Sequence, residues 1–161
     1  MPTKTIVYGL VTFLHDLFTA AWIGGLITLG LSVMPAIRKI LGKGPETKKI
    51  MDAIQKRNSV LVYASMIGLV LTGLLQANRT PEFLGLFSLG NTYSVVLAVK
   101  HILVIAMIVI ALYRSLVLTK NTTPKQERLK KVLMMSNIGF GILVLLLSGI
   151  ATALSSSIPV I

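Results

Sequence analysis

Residues Thr12–Leu26 read T-F-L-H-D-L-F-T-A-A-W-I-G-G-L, a segment apolar enough to enter a lipid bilayer yet carrying His15, Asp16 and Trp22. Ionisable groups at bilayer depth are costly, so they face a protein interior and mark a function by default. Apolar residues continue on both sides of this stretch and predict a first span over 6–37. At 1.5 Å per residue such a helix is longer than the hydrocarbon core, so it tilts or projects. Pro35, near its far end, predicts a kink or a stop.

The composition generalises this reading. The 161 residues are 54% hydrophobic and 13% charged, with a mean hydropathy of +0.83. That length accommodates about four spans at roughly 20 residues each. Three further apolar segments follow, at about 58–77, 92–118 and 132–154. The expectation is an all-α fold, a single integral membrane four-helix antiparallel bundle over residues 1–161. The 16 Lys and Arg residues give a net charge of +11, but they do not form a nucleic-acid patch. They concentrate at Arg38, Lys39, Lys43, Lys48, Lys49, Lys56 and Arg57, and again at Lys120, Lys125, Arg128, Lys130 and Lys131. Both groups lie between spans, and positive-inside logic places them in the cytoplasm with the N-terminus and C-terminus outside. A cell membrane, the prokaryotic plasma membrane, is the expected location, and anionic lipid is the expected partner of the basic face. Ile50, Met51, Ala53 and Ile54 suggest a short interfacial helix over 46–57.

Small and polar residues mark contact faces between helices in lipid. Tyr8, Thr12, His15, Thr19 and Trp22 form one such stripe on the first span, and Asn58, Ser65, Thr72 and Gln76 form another on the second. The fourth span carries Asn137, Gly141, Ser148, Thr152 and Ser155. Helix packing and a ligand pocket both account for these stripes.

The chain has two histidines, His15 and His101, each about nine residues into its span and about 14 Å below the outer boundary. Spans one and three run in the same direction. As diagonal neighbours they would lie about 13 Å apart, which suits two imidazoles on opposite faces of a haem iron, or a copper ion if the helices lean together. Two alternatives follow. The histidines hydrogen-bond in a polar core and bind nothing, or they ligate a metal centre, with haem b first and copper second. Asp16 and Lys100 are their chain neighbours. Asp16 is a candidate acceptor that orients a histidine, and Lys100 a candidate partner for a haem propionate, as is Arg79 at the outer rim. An ion pair between Asp16 and Lys100, or snorkelling of Lys100, are the structural alternatives. A bis-histidine haem b would imply electron transfer within the membrane, with a redox protein or quinone as partner. The seven methionines suit packing better than a copper site. Absence of cysteine excludes disulfides, thiolate metal sites and covalently attached haem. No nucleophile–base set, phosphate-binding glycine loop or paired carboxylates support hydrolysis.

The segment L-H-D-L-F-T-A-A-W-I-G-G-L-I-T-L-G-L-S-V-M-P-A-I-R resembles the opening helix of the CopD family of copper-resistance membrane proteins. K-R-N-S-V-L-V-Y-A-S-M-I-G-L-V-L-T-G-L-L-Q-A is similar to its second span and N-T-Y-S-V-V-L-A-V-K-H-I-L-V to its third. The resemblance implies a role in copper transport or homeostasis. The chain is also similar to HemJ, a haem b-associated protoporphyrinogen oxidase family, whose first-helix histidine would fall on His15 and third-helix lysine on Lys100. It departs from HemJ at Ala98, where that family has a further histidine, and near Arg38, where a Tyr-His pair is missing.

Overall fold

The computed structural model describes residues 3–77, 83–118 and 123–156. Four helices among them are long and apolar enough to cross a membrane. We number them α1 (Thr3–Leu41), α2 (Pro45–Ala77), α3 (Thr92–Leu116) and α4 (Pro124–Ser156). The described residues contain no strand. The fold is all-α and the protein is a multi-pass membrane protein.

The chain divides into two compact units, Met1–Thr72 and Gly73–Ile161. In the first, α1 packs antiparallel to α2: His15 faces Thr72, the Phe18 ring covers Gly68, and Gly25 faces Asn58. A steadily falling partner number along α1 is the register of an antiparallel pair. In the second unit α3 packs on α4, with Ala98, Met107, Met134, Ile138 and Val144 buried. Met34 and Met66 are buried as well, consistent with methionine as flexible packing.

Helix ends follow local chemistry. Gly42, at φ +70°, turns the chain between α1 and α2, a conformation that costs glycine nothing. Pro45 then opens α2, where a missing N–H is no loss. Thr47 Oγ1 donates to Leu41 O at 3.3 Å and satisfies a terminal carbonyl of α1. Asn91 caps α3 by accepting from Ser94 N at 2.7 Å. Thr123 and Gln126 cap α4 reciprocally: Thr123 Oγ1 accepts from Gln126 N, and Gln126 Oε1 accepts from Thr123 N.

Two expectations need correction. The predicted interfacial helix over 46–57 is not separate, because those residues are the first turns of α2. At 33 residues α2 is about 50 Å long, against a hydrocarbon core of about 30 Å, so its basic end projects beyond the lipid. Of the kink or stop predicted at Pro35, the stop is absent, and α1 runs on to Leu41. Immediately before Pro35, Thr28–Val33 adopts wider π-helical turns, with Met34 N bonded to Leu29 O five residues back. A proline ring collides with the carbonyl four residues earlier in a regular helix. Widened turns relieve such a conflict without ending the helix. A second π-helical segment, Ala20–Gly24, lies inside the stretch that carries His15, directly after Thr19.

Candidate functional site

His15 is half-buried on α1. Its Nδ1 lies 2.9 Å from Thr72 Oγ1 on α2. The Thr72 hydroxyl already donates to Gly68 O at 2.6 Å, so the oxygen accepts the imidazole proton. That assigns the proton of a neutral His15 to Nδ1 and its lone pair to Nε2. Gly68 brings the two helices together: a Cβ there would overlap the Phe18 ring. Thr19 Oγ1 donates to His15 O at 2.8 Å, just before the helix widens at Ala20.

His101 reaches the same tautomer by a different route. Its Nδ1 lies 2.7 Å from Leu97 O, one turn back on α3. A carbonyl only accepts, so Nδ1 carries the proton and Nε2 the lone pair. The Phe87 ring meets the imidazole edge-on, with centroids 6.4 Å apart and planes at 66°. Ser94, fully buried, anchors the loop that carries Phe87 by accepting from Leu84 N at 3.5 Å.

The other predicted residues fare differently. Asp16 is exposed and Lys100 half-buried. Successive helical residues point about 100° apart, so neither follows its neighbouring histidine. Arg79, proposed at the outer rim, lies outside the described residues. His15 and Asp16 belong to the first unit, and Lys100 and His101 to the second. Thr72, Leu97 and Phe87, the groups that orient the imidazoles, were not among the predicted site residues. Thr72 lies on the polar stripe of the second span, which was its only signal in the sequence.

Other residues of the polar stripes are buried or bond to the backbone of their own helix. Trp22 and Ser65 are buried at 1% exposure and Asn137 at 0%, and among the described residues Trp22 Nε1, Ser65 Oγ and the Asn137 amide have no hydrogen-bond partner. Ser148 and Thr152 donate back to carbonyls four residues earlier, as hydroxyls in membrane helices do. Among the described residues no three His, Cys, Asp or Glu side chains converge. What is built at each histidine is a single imidazole held through Nδ1, whose neutral form presents its lone pair on Nε2.

No match is found among curated proteins or among solved structures. The family model of copper resistance protein D, by contrast, matches residues 52–154. That match covers most of α2 and all of α3, including His101 and the Thr72 that orients His15. The chain is a member of the CopD family.

Proposed function

We propose that the protein handles copper as cargo within the membrane, in transport or homeostasis, with the Nε2 atoms of His15 and His101 as the ligating positions. The observation that carries this reading is that both Nδ1 atoms are engaged by an oxygen, an arrangement that leaves a neutral imidazole with its donor lone pair on Nε2. Imidazole is a good copper ligand, and an acceptor on the other ring nitrogen both orients it and raises its basicity. The family supports copper over other metals. A low ligand count also suits an ion that must leave again, because a permeating ion has to be held weakly enough to depart.

The test is copper stoichiometry of the full-length protein in mild detergent, with copper flux into proteoliposomes measured alongside. His15→Ala and His101→Ala should each weaken copper binding by at least the about 10–100-fold that loss of an outer-sphere partner costs. Copper content and flux indifferent to both substitutions would sink the proposal. Haem b on these imidazoles is the competing reading, since it draws on the same donor atoms. The same preparation decides it: a Soret band removed by either substitution would put haem in place of copper.

A further inference from the structure

A groove of about 490 Å³ lies between α1 and α2 in the first unit, and His15 is not among its lining residues. Its walls are Gly25, Leu29 and Val33 from α1 and Leu61 from α2, and Arg57 and Asn58 stand at its polar edge. The groove is open along one side. Two backbone features make room for it. Thr28–Val33 is the wider π-helical stretch. Gly25 lets the Asn58 side chain settle against α1, since a Cβ there would sit 3.3 Å from Asn58 Oδ1.

Position and charge select the occupant. The groove lies where the apolar part of α2 gives way to its basic extension, with Lys56 and Arg57 on α2 and Arg38 and Lys39 in the last turn of α1. An apolar channel in a bilayer takes an acyl chain, and a guanidinium at its mouth favours a phosphate, which Arg can bind through two N–H groups. A free anion would leave the apolar floor uncovered, and a zwitterionic lipid would offer Arg57 a phosphate already offset by its own ammonium. We infer that the groove binds one anionic phospholipid, with its phosphate at Arg57 and Asn58 and an acyl chain along Leu29, Val33 and Leu61. This site is independent of copper handling, because its residues are not the ones that orient the imidazoles, Thr72, Leu97 and Phe87.

Native mass spectrometry of the delipidated full-length protein provides the test, with phosphatidylglycerol and phosphatidylcholine of identical acyl chains as probes. One phosphatidylglycerol should bind in preference to phosphatidylcholine. Arg57→Gln should weaken it about fivefold, the effect of one basic residue at an anionic lipid surface, and weaken phosphatidylcholine, whose phosphate is offset by its own choline ammonium, by less. Lys125→Gln, on an exposed residue at the start of α4, should change neither. Val33→Trp fills the groove and should weaken both lipids. Arg57 is exposed, so its substitution keeps the idea testable if Val33→Trp does not fold. Equal binding of the two lipids would overturn the inference, as would full phosphatidylglycerol affinity in Arg57→Gln. Complete displacement by inorganic phosphate would identify a free-anion site, and lipid-blocking dimerisation would identify a second copy as the occupant. Either result overturns it too.

Discussion

The two histidines reach one chemical state by opposite means. His101 is set by its own helix: the acceptor for Nδ1 is a carbonyl one turn away on α3, available wherever that helix forms. His15 is set by another helix: its acceptor, Thr72, lies 57 residues along the chain and is present only when α1 and α2 are docked. The supporting helices differ in the same sense. α3 is regular throughout, whereas α1 widens twice after His15. A locally determined group is robust to changes in packing, and a tertiary one reports on them. The pair is therefore a built-in contrast between a fixed donor and a packing-dependent one.

Thr72→Val should break that contrast most strongly. Valine keeps the shape but removes the oxygen, so His15 loses the acceptor that holds its proton on Nδ1. Loss of an outer-sphere partner costs about 10–100-fold in metal affinity, and copper titration of the Thr72→Val protein should show a loss in that range. Global stability should fall much less, because interhelical hydrogen bonds in membranes average about 0.6 kcal/mol. Thr72→Ser should retain most of the affinity. The matching change at the other histidine, Leu97→Ala, leaves the carbonyl in place and should leave copper affinity unchanged. Equal losses from Thr72→Val and Leu97→Ala would dissolve the distinction.

Gly68→Ala comes next, acting through helix packing alone. The new Cβ would overlap the Phe18 ring, and forcing an extra carbon into a packed interface typically costs about 1–3 kcal/mol. Thermal or denaturant unfolding in detergent should register that loss. Copper binding at His15 should weaken as α1 and α2 part, with His101 unaffected. Gly139→Ala is the control: a Cβ there meets nothing within 4 Å among the described residues. Replacing a helical glycine at an unhindered site should be neutral or slightly stabilising, by up to about 1 kcal/mol.

How much of this was legible in the sequence divides along the same line. The four spans were, because twenty-residue apolar runs have few alternatives in lipid. The basic extension of α2 was not, since hydropathy drops at Arg57 while the helix does not end. Pro45 and Thr47 were the signals that the helix begins earlier, and Thr123-Pro-Lys-Gln126 marked the start of α4 in the same way. Pro35 announced an irregularity in α1 but not its form, because a π turn is a compromise between a backbone clash and the packing of the whole helix. At the sites, both histidines were legible as costly residues in apolar segments. Their orienting partners were not. Asp16 looked the better acceptor on charge, yet its position one residue from His15 turns it onto another face, and it is exposed. Thr72 was one of four polar residues on its stripe, and only the register of α1 against α2 singles it out.

The smallest effect sharpens the contrast from the side of His101. Phe87 is 58% exposed, and its ring meets the imidazole edge-on at 6.4 Å. An edge-to-face aromatic pair is worth about 0.5–1.5 kcal/mol beyond its burial, and exposure places this one at the low end. Phe87→Ala should therefore lower stability by about 0.5 kcal/mol at most. The Leu97 carbonyl still holds the Nδ1 proton, so the tautomer should survive. Nitrogen-15 NMR of the imidazole, which separates the two neutral tautomers, checks this directly. An unchanged His101 spectrum in Phe87→Ala, beside an altered His15 spectrum in Thr72→Val, would show one donor secured by its own helix and the other by its neighbour. A shift of the His101 proton to Nε2 would instead make the loop, not the helix, the group that sets it.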